Sequence, residues 1–328
     1  MTEKKPSASW TAIASAVVLS LQAAAATENP EPRSHPLYFG YYYADGRWGD
    51  FTDTVWSYTN LYVAIPGGYD TALDWRPLFQ SSMQRAIDND KAVMLILGAD
   101  LDRRVPVTID AVLAIVKPYW DKIVLIEVAH EEDLSPQAMD QRVHEVTQAL
   151  DARGLPHKPF GLTYTRGQSL TGDGMRAPSV SWVAVEAYVD PPAVNDATTC
   201  SERPAAPSPG PAFVPTTDCS GWVPVDHPLA NLPGSVTDLN RFLEQAKRRI
   251  PSDKQIVLIM MAYDRNGSWT NPDTLATLQL PVYLHAHDDP RVSAILMFTY
   301  GQPGGTRSYP QLQTIHRQIG EQILRTRR

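Results

Sequence analysis

The chain has 328 residues, of which 43% are hydrophobic and 20% charged, a composition typical of a globular protein. A formal net charge of -7 argues against nucleic acid or an anionic membrane surface as the main partner, because both repel a negatively charged protein. The length is sufficient for one large domain or two ordinary ones.

The first residues have the features of a secretory signal peptide. Lys4 and Lys5 precede an apolar stretch from Trp10 to Leu21, and small residues for cleavage follow at Ala23–Ala26. We predict a signal peptide over residues 1–26, a linker over 27–36, and a secreted or periplasmic protein with no stable membrane insertion after cleavage. An uncleaved anchor is the alternative, although the apolar stretch is short for a membrane span.

Eight short apolar runs alternate with helix-like segments along the rest of the chain. Such alternation predicts βα units and a parallel sheet, and eight strands is the number that closes a (β/α)8 TIM barrel. We therefore predict a single-domain α/β barrel over residues 37–328. The predicted strands are Leu37–Tyr43, Asn60–Ile65, Ala92–Leu97, Ile123–Asp133, Pro159–Tyr164, Ser181–Val189, Gln255–Ala262 and Val292–Thr299.

Helices are predicted from apolar stripes and capping residues. Ser135 followed by Pro136 is typical of a helix start, with the serine as N-cap and proline at the first helical position. Three further segments, Asp74–Asp88, Ser235–Ile250 and Tyr309–Arg327, carry apolar residues at helical spacing. We assign these stripes to the core and give them no function.

A long Pro-rich insertion, residues 190–234, follows the sixth strand. A loop of this length within a compact domain is usually functional or disordered. It contains both cysteines, Cys200 and Cys219, which we predict to form one local disulfide in an exported protein. Two thiols alone do not provide the ligands that zinc requires. The insertion is either a lid or wall of the cleft, or a decoration without function.

The fourth predicted strand, IVLIEVAHEED, ends in three acids. Charges are rarely buried without a partner, and the C-terminal ends of barrel strands are where chemistry is placed. We therefore take Glu131 as the leading catalytic candidate, with Glu186 and Asp264 near the ends of the sixth and seventh strands. Glu131 could instead be a solvated loop acid or a favourable charge at the helix N-terminus before Ser135. Glu186 could belong to a structural ion pair, and Asp264 could be a turn residue.

This layout resembles the clan of retaining (β/α)8-barrel glycoside hydrolases, whose fourth strand ends in Asn-Glu. His130 then takes the Asn position, and the resemblance implies that Glu131 is the general acid/base. Glu186-Ala187-Tyr188 stands where the clan often has His-x-Tyr. The clan's nucleophile is a Glu at the end of the seventh strand, where this chain instead has Met260 and Met261.

The stretch Met261–Asp264 also resembles the Met-x-Tyr-Asp strand of family-eighteen chitinases. Those enzymes use the acetamido group of the substrate in place of a protein nucleophile. Their acidic fourth-strand motif is absent from this sequence. Glycoside hydrolysis needs two carboxyl groups, one protonated and one ionised, and neighbouring acids separate each other's pKa values. The distance between them, and so retention or inversion, is left open by the sequence.

Aromatic and polar residues near the predicted strand ends are candidates for binding sugar. Rings stack on the apolar faces of sugars, and carboxylates bind hydroxyl groups. The predicted substrate-binding residues are Tyr41, Tyr43, Asp45, Asp100, His130, Tyr188, Tyr263 and Tyr300.

We therefore predict an exported glycoside hydrolase that acts on a poly- or oligosaccharide. No metal or organic cofactor is expected, because the sequence has no Gly-rich phosphate loop, HExxH motif or Cys/His cluster. One alternative is a non-catalytic barrel that binds carbohydrate or a cell-wall component, which the missing seventh-strand Glu favours. Another is a lyase or deacetylase on the same scaffold, since barrels host many chemistries.

Overall fold

A computed structural model describes most of the predicted domain. The described residues are 36–43, 53–66, 75–97, 107–188, 213–215, 222–224, 236–262, 279, 282–298, 300 and 305–325. Within these ranges, none of the helices combines the length and apolar character needed to cross a membrane. The predicted signal peptide (1–26) and both cysteines lie outside them, so the signal and the disulfide remain predictions.

Eight of the strands form one parallel sheet, and each lies within its predicted apolar run. Their order, β1-β10-β9-β6-β5-β4-β3-β2, follows the chain around a nearly closed barrel and confirms the predicted (β/α)8 fold. The barrel strands are β1 (Tyr38–Tyr43), β2 (Leu61–Ala64), β3 (Ala92–Ile96), β4 (Ile123–His130), β5 (Phe160–Tyr164), β6 (Trp182–Ala187), β9 (Gln255–Met261) and β10 (Val292–Phe298). Two short antiparallel strands in the insertion, β7 (Phe213–Pro215) and β8 (Trp222–Pro224), form a separate sheet.

The helices connect the strands on the outside of the barrel. They are α1 (Asp53–Tyr58), α2 (Trp75–Asp88), α3 (Ile109–Val116), α4 (Pro136–Asp151), α5 (Gln168–Thr171), α6 (Val236–Arg249), α7 (282–288) and α8 (Pro310–Arg325). Short 3-10 segments are Lys117–Lys122, Gly174–Arg176 and Thr306–Ser308. The predicted cap of α4 is confirmed, because the Ser135 Oγ accepts a hydrogen bond of 3.2 Å from the Ala138 amide.

β1 and β2 close the barrel without pairing as a regular ladder. The Asn60 amide hydrogen-bonds to the Phe39 carbonyl at 3.0 Å, and the Asn60 Oδ1 accepts from the Phe39 amide at 2.6 Å. A Cβ at Gly40 would lie only 2.3 Å from the Leu61 carbonyl oxygen. Glycine is therefore the residue that lets the two backbones approach at this seam.

Side chains alternate between the barrel interior and the layer under the helices. On β6, Trp182 and Ala184 belong to the interior cluster, whereas Val183 and Val185 pack in the outer core. The same alternation places Glu186 in the interior, near the C-terminal end of its strand. β1 divides in the same way, with Tyr42 inside and Tyr41 outside.

Candidate active site

The C-terminal end of the barrel brings together three of the predicted site residues. His130, Glu131 and Glu186 each present one nitrogen or carboxylate oxygen, and these atoms all lie within 4.8 Å of one another. Glu186 comes from β6 and the other two from the end of β4. A fourth predicted residue, Tyr188, lies two residues beyond Glu186 and is half-buried, with its ring 5.3 Å from that of Phe298.

A β-bulge in β4 sets which of its side chains face this site. Glu127 pairs with Gly161 of β5, but the next register partners are Ala129 and Leu162, so Val128 is an extra residue. The bulge reverses the alternation, so Glu127 and His130, three residues apart, face the same way. Their side chains meet, with the His130 Nδ1 lying 3.1 Å from the Glu127 Oε1.

Glu131 has an unusual backbone conformation. Its φ angle is +52°, in the left-handed region that non-glycine residues rarely adopt. Two hydrogen bonds of 2.8 Å hold it there, from the Glu131 amide to the Thr163 carbonyl and from the Gln168 Nε2 to the Glu131 carbonyl. Strain of this kind costs about 1–3 kcal/mol and is found mainly at functional sites. This backbone conformation turns the Glu131 side chain, which is 44% exposed, into the mouth of the barrel.

Glu186 carries a proton at neutral pH. Burial raises the pKa of its carboxyl group to about 8, and the negative charge of Glu131 acts in the same direction. The positive charge of His130 and the neighbouring Tyr188 side chain oppose these effects without cancelling them. The two carboxyl groups lie within 4.8 Å of each other, so a charge on one disfavours a charge on the other, and burial leaves the proton on Glu186.

His130 is positively charged in the same pH range. Burial lowers its pKa, but the hydrogen bond and charge of Glu127, with the charges of Glu131 and Glu186, outweigh burial and raise the pKa to about 9. The ring stacks on Tyr42, with centroids 5.7 Å apart and planes at 17°. Among the described residues, the trio of His130, Glu131 and Glu186 is the group that could hold a metal ion. A metal could bind there only by displacing the imidazolium proton, because a protonated nitrogen has no lone pair.

Sequence reasoning missed three side chains that support this site. Tyr42 and Thr163 donate hydrogen bonds to the buried carboxylate of Glu127, the tyrosine at 2.8 Å to the Oε2. Phe298 lies beside them, with ring centroids 6.4 Å from Tyr42 and 5.3 Å from Tyr188. Glu127 itself gave a signal, an acid in the middle of an apolar strand, but the two hydroxyl residues resemble ordinary strand residues.

Tyr41 and Tyr300, which we predicted to bind substrate, are buried in the outer core instead. The Tyr41 hydroxyl lies 2.9 Å from that of Tyr58 and 3.0 Å from the Nδ1 of His316, and its ring contacts Tyr300 edge-on at 5.1 Å. Strand alternation explains this placement, since Tyr42 takes the inward position on β1. Tyr41 and Tyr300 therefore do not lie beside Glu131 and Glu186.

Several other predicted residues lie outside the described part of the chain. They are Asp45, Asp100, Tyr263 and Asp264, together with the side chain of Tyr43. Their roles remain predictions. β9 ends in Met260 and Met261, and both side chains are buried in the outer core. The carboxyl group that lies beside Glu131 belongs to Glu186 of β6.

Acid pH is expected to destabilise the protein through His316. Burial lowers its pKa to about 3, while the Nε2–H donates to the Gln279 Oε1 at 2.7 Å. An unfolded histidine binds a proton near pH 6.5, so the unfolded state gains protons, and stability is lost, as pH falls from about 6.5 towards 3.

Urea unfolding of wild type and His316→Gln at pH 7 and pH 4.5 measures this effect. We expect the stability lost on acidification to be smaller in the variant. An exposed histidine, His157, provides the matched control as His157→Gln, which should lose as much as wild type. Equal acid losses in wild type and His316→Gln would contradict the prediction.

Comparison with known proteins places the fold but no family. No protein-family model and no curated protein sequence matches the chain. The β-glucuronidase from Ruminococcus gnavus has a TM-score of 0.50 at 8% identity, covering 87% of this chain and 50% of that one. The GH113 β-mannanase from Alicyclobacillus acidocaldarius, in complex with ManMIm, has a TM-score of 0.44 at 12% identity, covering 88% of this chain and 97% of that one. This chain thus spans about half the length of the glucuronidase and nearly all of the mannanase. At these identities the likeness concerns the fold alone, which is a (β/α)8 barrel.

Proposed function

We propose that the protein is a glycoside hydrolase that cleaves a glycosidic bond in a poly- or oligosaccharide. The observation that carries the proposal is the Glu131–Glu186 pair, whose carboxyl oxygens approach within 4.8 Å at the barrel mouth. With its proton, Glu186 supplies the acid, and Glu131 supplies the carboxylate that this reaction needs. Export through the predicted signal peptide, residues 1–26, is part of the proposal.

An approach of carboxyl oxygens within 4.8 Å favours retention of anomeric configuration over inversion, since the groups lie about 5–5.5 Å apart in retaining enzymes and about 6.5–9.5 Å apart in inverting ones. Glu186 holds the proton, so we assign it as general acid/base and the more exposed Glu131 as nucleophile. This reverses the role that the sequence resemblance implies for Glu131. The physical reason is burial, which favours the neutral form of Glu186.

The proposed reaction has two steps. The Glu131 carboxylate attacks the anomeric carbon as the bond to the leaving oxygen breaks, and that oxygen takes the Glu186 proton. A glycosyl ester on Glu131 results. Glu186, now ionised, takes a proton from water, which attacks the anomeric carbon and releases the sugar and Glu131. The enzyme regains its original protonation state.

Aromatic side chains support a carbohydrate as the substrate. Phe298 lies beside the carboxylate pair and contacts both Tyr42 and Tyr188, with ring centroids 6.4 Å and 5.3 Å away. Tyr188 and Phe298 are half-buried and offer ring faces on which the apolar side of a sugar can stack, whereas Tyr42 is buried against the His130 ring. Such a wall combines apolar contact with the few polar groups that fix orientation in a typical pocket.

Assays of the purified protein against aryl glycosides and neutral and acidic polysaccharides test the proposal. New reducing ends, with the first product formed in the anomeric configuration of the substrate by proton NMR, are expected. Binding of a sugar without turnover would instead support the non-catalytic barrel, which the methionines at the end of β9 favour. An unsaturated product absorbing in the ultraviolet would indicate a lyase, and release of acetate a deacetylase.

Activity is expected to decline above about pH 8. The general acid must be protonated in the free enzyme, and the pKa of Glu186 is raised to about 8. Once Glu186 ionises, kcat/KM should fall about tenfold for each further pH unit, as for any single essential acid. The measurement is a pH–rate profile from pH 5 to 10, with circular dichroism to confirm folding at each pH. A profile that rises through pH 8 would oppose the assignment of Glu186.

A further inference from the structure

Glu127 is a buried acid that the proposed reaction does not use. It is 0% exposed and lies in the barrel interior, on the same strand as Glu131. A buried carboxylate is costly unless it is hydrogen-bonded and its charge is compensated. Glu127 accepts hydrogen bonds from the Tyr42 hydroxyl, the Thr163 hydroxyl and the His130 Nδ1.

Of these three partners, only His130 can carry a full positive charge. Thr163 does not ionise in proteins. Burial raises the pKa of Tyr42 well above its usual value, so its hydroxyl group stays neutral. The charge of Glu127 is thus balanced within this network by a protonated imidazole. The Tyr42 hydroxyl also lies 2.8 Å from the His130 Nδ1, so both residues hold the same edge of the ring.

The opposite edge of the ring faces the catalytic pair. The His130 Nε2 lies 3.7 Å from the Glu131 Oε1, and the stacked Tyr42 ring restricts rotation of the imidazole. The titratable groups around His130 are Glu127 and Glu131 from the β4 region, Glu186 from β6 and Tyr42 from β1. The imidazole therefore connects the buried acid of β4 to the exposed one.

We propose that Glu127 is a positioning residue: its carboxylate holds the protonated His130 imidazole with Nε2 directed at Glu131, and so keeps a positive charge beside the nucleophile. That positive charge lies beside the carboxylate assigned as nucleophile, while the proton remains on Glu186. Without Glu127, burial would favour a neutral imidazole. The catalytic consequence depends on the proposed hydrolase function, but the charge on His130 does not.

The test is an NMR titration of the His130 imidazole in the full-length protein, assigned by comparison with His130→Gln. In wild type we expect a midpoint at about pH 9. Glu127→Gln preserves the size of the side chain and removes its charge, and should lower the midpoint by at least about one pH unit, the scale on which a nearby charge acts. Glu132→Gln is the matched control, because Glu132 is an acid of the same stretch paired with Arg142, and should leave the midpoint unchanged.

Thr163→Val provides a second variant that removes a hydrogen bond from Glu127 but leaves its charge. Its midpoint should stay close to that of wild type, which separates charge from local packing.

Wild type alone can overturn the proposal, whether or not Glu127→Gln folds, if its His130 titrates near pH 6.5. An unchanged midpoint in folded Glu127→Gln would overturn it as well. A shifted midpoint in a protein that hydrolyses no glycoside would leave the Glu127–His130 coupling standing and reject the hydrolase. Hydrolysis of a glycoside by the protein, together with a His130 midpoint that Glu127→Gln does not shift, would support the hydrolase and reject the Glu127–His130 coupling.

Discussion

Replacing Glu186 with Gln is expected to lower kcat/KM for a natural glycoside by about 10²–10⁴-fold, the usual contribution of a general acid. Glutamine has nearly the same shape but no proton to donate to the leaving oxygen. The loss should be much smaller for an aryl glycoside with a good leaving group, such as 2,4-dinitrophenol, which departs without protonation. Glu131→Gln should abolish turnover of both substrates, since no nucleophile remains.

The two substrates therefore distinguish the roles of the two carboxyl groups. If Glu131→Gln retains activity on the dinitrophenyl glycoside and Glu186→Gln does not, Glu131 is the acid, as the sequence resemblance implies. The control is Glu132→Gln, which changes an acid adjacent to Glu131 whose partner is Arg142, outside the catalytic pair. It should keep near wild-type activity on both substrates.

The stability of Glu186→Gln provides a check on folding. The folded-state pKa of Glu186, about 8, lies above its ordinary value of 4.5. The folded state therefore binds the extra proton between these values, and its stability contribution is present below about pH 4.5 and lost as pH rises through 8. The glutamine variant lacks this pH dependence, so lost activity with unimpaired stability at pH 8 would point to chemistry.

Gly40→Ala is expected to reduce the free energy of unfolding by about 1–3 kcal/mol or more, the usual cost of overpacking a core. The added Cβ would lie 2.3 Å from the Leu61 carbonyl oxygen and 3.1 Å from its carbonyl carbon. Backbone atoms cannot turn away as a side chain does, so β1 and β2 must separate. Tyr42 is two residues along β1, and the separation should also disturb its hydrogen bonds to Glu127.

Urea unfolding of Gly40→Ala and Gly167→Ala measures this effect against a matched change. Gly167 has a helical φ of −65°, and its Cβ would meet nothing within 4 Å. Alanine there should be neutral or stabilise by about 0.4–1 kcal/mol through the unfolded state. Equal free energies of unfolding for the two variants would mean that β1 and β2 have room for a Cβ at residue 40, which would contradict the prediction.

Local sequence was sufficient to predict the fold. Each barrel strand is an apolar run bounded by polar or turn residues, and this pattern depends only on neighbouring residues. Because the connections are helical, the strands are parallel and their C-terminal ends meet at one end of the barrel. That rule alone was enough to bring Glu131, His130, Glu186 and Tyr188 to a common site.

What the sequence determined by itself is therefore the barrel and the end of it that carries the site. The tertiary structure decided which side chains face inward and how their charges interact. A bulge at Val128 turns Glu127 and His130 to the same side, and strand alternation selects Tyr42 rather than Tyr41. The proton resides on Glu186 because it is buried beside another carboxylate. The burial of a side chain and its distance from other charged groups depend on residues far apart in the chain, so no local pattern predicts them.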